Sequence, residues 1–305
     1  MATATSDDDQ AIYQRAPLGA FTKEHLIEFT HDWEGERFPD GRPRVADDII
    51  ERMRQVTLTQ AWGSCRGGGY EHQFEGGFSC THPGEVLCGR ALTATFMPRR
   101  PDVYQTVEQQ AERGGHVGAH IHWPINALVK GDVNVADMFG KIEHGAIIGD
   151  NLAASVLAKS GNGVVHDCSV RDIEGIRELP GFASYIRGWH PTTTESTIML
   201  TGLNGPTRIG GVTVMPGDVV LGKGDSVVFI PPHLADKTVK QAEIVSLRDT
   251  FGKLRLTEGT YLPGQIDGRW GDDVEKDFSV WLEDHIDDLP VPKHAVQDYL
   301  KERTW

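Results

Sequence analysis

Cysteine is scarce in this chain of 305 residues: Cys65, Cys80, Cys88 and Cys168 are the only four. They form no CxxC pair and no set spaced with histidine, so a disulfide scaffold is disfavoured and free thiols in a reducing compartment are expected. Long apolar runs are also missing. No stretch approaches the roughly 20 residues of a membrane helix, and the opening MATATSDDDQAIYQRAPLGA lacks a signal-peptide hydrophobic region, so a cytoplasmic protein is expected. Positive charge is short as well. With 30 Lys and Arg against 44 Asp and Glu, the formal charge of −14 disfavours attraction to nucleic acid or an anionic membrane. A small anionic substrate stays open, because one buried arginine outweighs a distant field. The chain has no internal repeat and no low-complexity linker, so one elaborated domain is the simplest account.

What is present reads as alternating helices and strands. Thr22 is placed to cap a short helix over TKEHLIEFTHDW, and EGERFPDGRPR is a turn-rich connector. A second helix begins near Ala46, with Ile49, Ile50, Met53 and Val56 at helical spacing and Thr59 to Trp62 continuing its buried face. Six glycines lie between Gly63 and Gly77, a density that suits either close approach to a ligand or a mobile loop. Gly89 to Phe96 reads as a strand and Val103 to Arg113 as a helix. His116, His120 and His122 then stand beside Trp123. Two histidines at i and i+2 on one strand face suit a metal, yet no acid or cysteine completes the set nearby, which favours a pocket wall or subunit contact. Further on, Pro180 to Tyr185, Val212 to Val214 and Val219 to Leu221 read as strands, with a Pro216-Gly217-Asp218 turn between the last two. Ala235 to Leu247 reads as a helix. Val274, Phe278, Trp281, Leu282, His285 and Ile286 mark an amphipathic helix that must pack on something, being marginal alone.

The centre of the chain is GDNLAASVLAKSGNGVVHDCSVRD, Gly149 to Asp172. Its start resembles a strand end turning into an Ala/Leu-rich helix that stops at Ser160-Gly161. Val164-Val165-His166 follows as a short buried strand, and Arg171-Asp172 opens a second helical pattern, DIEGIREL. Two strand ends thus each deliver an acid, Asp150 and Asp172, to the edge of an α/β sheet where ligands bind.

An acid, about twenty residues, then Arg-Asp resembles the motif of the RraA-like family, in its catalytic branch of 4-hydroxy-4-methyl-2-oxoglutarate (HMG) aldolases. Gly131-Asp132-Val133 before the motif, and Pro216 to Val220, Gly224-Asp225 and Val227 to Pro231 after it, fall in the family's order. The resemblance covers about residues 45–250. It implies an α/β, three-layer swivelling-type domain with a mixed central sheet, flanked by an N-terminal extension (1–44) and an acidic helical C-terminal extension (251–305). It further implies a homotrimer or homohexamer with sites between subunits, where Glu243, Glu258 or Arg187 would approach a neighbour's site.

Without thiol or imidazole donors, an Asp-rich site suits a hard ion, Mg²⁺ or Mn²⁺. The resemblance implies Asp172 as its direct ligand and Asp150 as acting through a bound water. Arg171 is a planar fork for a carboxylate or enolate oxygen. The backbone N–H groups of Asn151, Leu152, Ala153 and Ala154 lie at a helix start suited to an anion. Together they describe a 2-oxo acid site: a class II aldolase that cleaves HMG through a metal-stabilised pyruvate enolate, or decarboxylates oxaloacetate by the same enolate. Each residue also has a plain structural role open to it, as a helix cap or ion-pair partner. Asp167 is given a supporting role at a strand-end turn beside His166. Rival functions are a lyase or dehydratase acting on a sugar-derived acid, and a non-catalytic regulator of ribonuclease. No glycine-rich loop of the kind that binds S-adenosylmethionine is found, which argues against a methyltransferase.

Overall fold

Capping chemistry decides where the first helices begin. In this computed structural model, which describes residues 21–194 and 196–301, Thr22 caps α1 (Lys23–Phe29) through a reciprocal pair with His25. Only Leu26 of α1 is buried; Ile27 and Phe29 face outward. The next helix stops earlier than its apolar spacing suggests. α2 (Asp47–Met53) buries Ile49, Ile50 and Met53, and then Thr57 opens a separate α3 (Leu58–Gly67) with its own capping box to Gln60. Because α3 runs to Gly67, the glycine-rich loop is shorter than the sequence implies and begins at Gly68.

Two short strands follow, β1 (Phe74–Glu75) and β2 (Ser79–Cys80), and then the long β3 (Leu87–Pro98). α4 (Pro101–Arg113) and α5 (His122–Asn126) lead to β4 (Asp132–Ala146), α6 (Asp150–Ser160), β5 (Val164–Val170), α7 (Ile173–Arg177) and β6 (Ser184–Trp189). β6 starts at Ser184 instead of Pro180, because Gly181 adopts φ +79° and the Pro180 segment turns. β7 (Ile198–Leu203), β8 (Thr207–Ile209), β9 (Val212–Val214), β10 (Val219–Lys223) and β11 (Ser226–Ile230) complete the strands.

The sheet order is β1-β11-β10-β3-β4-β5-β6-β2, with β7 also on β3; β8 and β9 form a separate hairpin. β3, β4, β5 and β6 run parallel to their neighbours in that series and the remaining pairs are antiparallel, giving an α/β fold with a mixed central sheet. One face carries Leu92, Ala136, Val164 and Ile186 beneath Val107 of α4, Trp123 of α5, Val156 of α6 and Ile176 of α7. The opposite face packs Val133, Val135, Val165 and Tyr185 against Ile209, Val212 and Val214 of the hairpin. Burial of each such aliphatic side chain contributes about 1.5–3 kcal/mol.

The chain separates into two units, which meet between Ala235 and Asp236. The second is helical. α8 (Ala235–Glu258) continues eleven residues past Leu247, since no proline interrupts it and Gly252 admits the Ile266 side chain. With α9 (Pro263–Ile266), α10 (Asp272–His285) and α11 (Lys293–Lys301), it encloses Leu247, Phe251, Trp270, Val274, Phe278, Trp281 and Leu282. Arg248 bonds Glu275 at 3.0 Å with its guanidinium 3.7 Å from the Trp270 ring centre, so a cation and an aromatic stack close that core.

Candidate active site

Two consecutive βα turns build the site at one sheet edge. β4 is followed by Ile147-Ile148-Gly149 and α6, and β5 by Arg171-Asp172 and α7. The Arg171 N–H donates to the Ile148 carbonyl, which ties the second turn to the first. Glycines then let the acids cross over. Asp172 Oδ2 lies against the bare α-carbon of Gly149, and a methyl placed there would also meet Arg171 Nε at 3.2 Å. In the other direction, a methyl on Gly175 would stand 2.8 Å from Asp150 Oδ2. Each turn therefore seats its acid on the other turn's glycine, and Asp150, Arg171 and Asp172 form one group.

Asp172 has an unusual backbone. It precedes α7 at φ 52°, ψ 45°, the left-handed region, and its side chain makes no capping hydrogen bond. A non-glycine residue there costs on the order of 1 kcal/mol, less for Asp than for most, and such positions cluster at functional sites. The carboxylate lies 3.5 Å from Arg171 Nε, with half of its surface open and 38% of the arginine side chain open. An ion pair that exposed contributes little stability.

α6 begins at Asp150 with Gly149 as its cap, and Gly161 ends it in the left-handed conformation. Asp150 Oδ1 accepts from the Asn151 N–H at 2.7 Å, and the Ala153 N–H donates to Gly149 O inside the helix. Ala154 lies one position further in. Of the four N–H groups named above, Leu152 N–H is thus the one in the first turn without a bond of this kind, as the geometry of a helix start requires. The Asn151 and Ala154 side chains are exposed, Leu152 half-buried and Ala153 buried.

Among the described residues no cluster of three or more His, Cys, Asp or Glu converges on a point. The donors at this edge are carboxylate oxygens only. That set fits Mg²⁺ or Mn²⁺, which keep waters and take one or two carboxylates, better than zinc, which takes nitrogen and sulfur. The histidines do not assemble a metal site. His120 and His122 lie in a turn and the start of α5 instead of a strand. His120 Nδ1 accepts from Leu200 N–H, its Nε2 is 2.7 Å from Glu108, and its ring stacks on Tyr104; His122 Nδ1 accepts from Ala119 N–H. Burial holds the His120 pKa down, against the raising effect of Glu108.

His166 and Asp167 are buried in mid-strand, so Asp167 is not a turn residue. His166 Nε2 bonds Asn134 Oδ1 at 2.7 Å, and burial pushes its pKa down to about 3, leaving a neutral ring. Asp167 takes Arg187 Nε at 2.6 Å, and the same guanidinium bonds Glu75 and the Gly76 carbonyl and covers the Phe78 ring. Arg187 thereby ties the glycine-rich segment to the sheet. Glu258 bonds Arg255 in the helical unit.

One feature of this edge was missed in the sequence. Between Asp137, level with Asp167, and Ala146, level with Ser169, β4 bulges out of register twice, touching the ladder only at Lys141 opposite Cys168. Phe139 and His144 take φ 49° and 52°, and Phe139 and Ile142 are exposed. Gly140 and Gly145 were the available signals.

A family model described as RraA-like, Aldolase/RraA, matches residues 57–229. Protein DlpA of Legionella pneumophila is 24% identical over 231 residues, covering 73% of this chain and 35% of that protein. A putative 4-hydroxy-4-methyl-2-oxoglutarate aldolase of Halalkalibacterium halodurans is 33% identical over 116 residues, covering 37% of this chain and 52% of that one. The alignments thus span about a third to a half of the length of these relatives. Among solved structures, an uncharacterized protein from Pseudomonas syringae superposes with a TM-score of 0.61 at 19% identity, over 76% of this chain and 99% of that one. RraAS2 of Streptomyces coelicolor, described as an unusual member of the RNase ES inhibitor RraA protein family, gives 0.58 at 24%, over 70% and 99%. These superpositions show a shared fold, and the match over residues 57–229 shows that the chain belongs to the RraA-like family.

Proposed function

We propose that the chain is a divalent-metal-dependent carbon–carbon lyase that cleaves a 4-hydroxy-2-oxo acid, such as HMG, to release pyruvate. The observation that carries this reading is Asp172: a left-handed, uncapped, half-exposed carboxylate beside an open guanidinium, seated on Gly149 with Asp150 in the adjoining turn. A side chain serving as a helix cap would bond the N–H groups of the helix it precedes, and this carboxylate does not. Asp172 would hold Mg²⁺ or Mn²⁺, with Asp150 acting through a water. When bound, the ion supplies a Lewis acid toward the keto oxygen of the substrate.

The chain's own residues do the rest. Arg171 receives a carboxylate or the developing oxyanion on its planar fork, stabilising charge that is larger in the transition state than in the substrate. The first turn of α6 orients the substrate carboxylate through the Leu152 N–H and the helix dipole. A water held by Asp150 takes the proton of the 4-hydroxyl as the C3–C4 bond breaks, and C3 of the resulting enolate is then protonated to give pyruvate. Oxaloacetate would lose carbon dioxide to the same enolate. We place the sites between subunits of a trimer or hexamer.

The test is pyruvate release from HMG, oxaloacetate and a panel of 2-oxo sugar acids, with Mg²⁺ or Mn²⁺ and with EDTA. Activity is expected with HMG, lost on chelation and restored by the metal. Turnover that survives chelation, or persists in Arg171→Ala, refutes the mechanism. Reaction with a sugar acid alone keeps the mechanism and changes the substrate. Inhibition of a ribonuclease without any turnover would favour a regulator like those named among the relatives.

A further inference from the structure

A cavity of about 220 Å³ opens where the end of α1 and the segment after it, the segment after α3, the β9–β10 turn and the residues after β11 meet. It shares no residue with the Asp150–Arg171–Asp172 edge. Three aromatic side chains line it, Phe29, Trp33 and Tyr70. Its charged side chains are both acids, Asp32 and Asp218, and neither lysine nor arginine contributes to the wall. Asp32 is on the open side, with its carboxylate 3.4 Å from the exposed His31.

Asp218 is the informative group. Its residue is only 3% exposed, and Oδ2 accepts from the Met215 N–H at 2.8 Å. No cationic side chain pairs with it among the described residues. A buried carboxylate without a cationic partner is costly to ionise, and burial pushes the Asp218 pKa up to about 8. His233 bonds the Tyr70 hydroxyl at 3.2 Å and so is engaged within the wall. Aromatic faces attract cations through their quadrupole, most strongly out of water, and an anion here would meet those same faces and the Asp32 carboxylate. A neutral apolar guest would gain nothing from Asp218, whereas a cation would pair with it once it is ionised.

We propose that this cavity binds a small organic cation of the alkyl- or quaternary-ammonium class, held by the aromatic wall and by Asp218. The net charge of −14 favours the approach of such a ligand. Binding draws Asp218 into its ionised form, so each cation bound below pH 8 expels a proton.

The probes are choline and its neutral carbon isostere, 3,3-dimethylbutan-1-ol, titrated calorimetrically into the full chain. Choline is expected to bind at least about tenfold more tightly than the isostere, a difference of about 1.4 kcal/mol. Trp33→Ala, on the open side, is expected to weaken choline by about tenfold. Affinity in the unchanged chain should rise from pH 6 to 8, by up to about tenfold per unit, and level off above. The groups facing Asp218 are Cys65, Tyr70, His233 and Asp32. Burial raises the pKa of the Cys65 thiol and the Tyr70 phenol, so both remain neutral across this range. Asp218→Asn separates the Asp218 contribution from that of His233: it should bind choline at least about tenfold more weakly at pH 8 and lose most of the pH slope. If that variant does not fold, the isostere comparison and Trp33→Ala decide. Equal binding of choline and its isostere, no binding of choline, or an unchanged pH slope in a folded Asp218→Asn protein would each overturn the proposal.

Discussion

Replacing Asp172 separates its stability from its chemistry, because its backbone and its side chain make opposite demands. At φ 52° a residue with a Cβ pays roughly 1–2 kcal/mol, Asp and Asn somewhat less through local hydrogen bonding, and Gly nothing. Glycine loses about 0.4–1 kcal/mol through its freer unfolded chain, so Asp172→Gly comes out near zero. The ion pair to Arg171, 3.5 Å long and half-exposed, adds at most a few tenths after solvent screening. Asp172→Asn keeps the shape and the left-handed tolerance, so it too should be neutral. Asp172→Ala, without that tolerance, should cost about 1 kcal/mol. At roughly 2–4 °C per kcal/mol, the Asn and Gly variants should melt within about 2 °C of the parent and the Ala variant about 3 °C lower. Activity should follow another order. If the carboxylate holds the metal, all three variants lose about 10²–10³ in kcat/KM, the size of a lost transition-state electrostatic contact. The assays are a thermal melt and pyruvate release on the same preparations. Asn and Gly variants that keep activity within about threefold of the parent would refute the catalytic assignment, whatever their melting temperatures.

Three further perturbations probe the surroundings of that residue. Gly175→Ala should lower activity by about tenfold or more, because its methyl meets Asp150 Oδ2 at 2.8 Å and Asp150 Cβ at 2.9 Å, while helix propensity offsets the strain and the melting temperature changes little. A normal kcat/KM in that variant would show that the seat of Asp150 does not matter. Arg187→Ala strands Asp167 near Asp137 and releases Glu75 and Gly76; about 3 kcal/mol should be lost, with faster proteolysis over residues 68–77. Protease resistance equal to the parent would show that Arg187 does not anchor this segment. His166, whose pKa burial depresses from 6.5 to about 3, binds a proton when the chain unfolds but not while it is folded. Its neutral burial therefore costs nothing above pH 6.5 and about 1.4 kcal/mol per unit as pH falls below it, about 2 kcal/mol by pH 5. Asp218 acts oppositely, since its raised pKa adds stability as pH falls from 8 toward 4. Subtracting a His166→Gln stability profile from that of the parent isolates the histidine; a flat difference between pH 7 and 5 would contradict its burial as a neutral ring.

Local signals were the legible ones. Thr22 capped its helix, Gly161 closed α6, and Gly89 to Phe96 lay inside β3, because cap chemistry, left-handed glycine and a run of strand-forming residues act over a few positions. The break between α2 and α3 was hidden although Thr57 and Gln60 form a capping box, because the apolar spacing runs on across it. The β4 excursion was signalled only by Gly140 and Gly145, because Phe139 and His144 occupy left-handed positions that are uncommon for any residue with a side chain. Asp167 looked like a turn residue because a buried aspartate is tolerable only with a partner, and Arg187 stands twenty positions away. At the candidate site, the identities of Asp150, Arg171 and Asp172 were visible but their interlocking on Gly149 and Gly175 was not.

The spacing that drew attention to those acids is weaker evidence than the conformation of one of them. In a βαβ unit the chain must leave one strand end, run back along a helix and return along the next strand before two neighbouring strand ends stand side by side. α6, with eleven residues, covers about 16 Å at 1.5 Å each, and the seven residues of β5 cover about 23 Å at 3.3 Å each. With the short turns between them, this alone sets a separation of about twenty residues. Any two polar residues opening consecutive helices in a parallel sheet would show the same interval without sharing any chemistry. Geometry of the crossover therefore explains why Asp150 and Asp172 are neighbours, and it leaves unexplained why Asp172 occupies a left-handed position and why its side chain does not cap the helix it precedes. A glycine would satisfy that backbone at lower strain and a serine or threonine could cap the helix. What Asp alone adds at that position is a carboxylate beside Arg171 over a glycine floor, and it is this feature, more than the spacing, on which the proposed metal site rests.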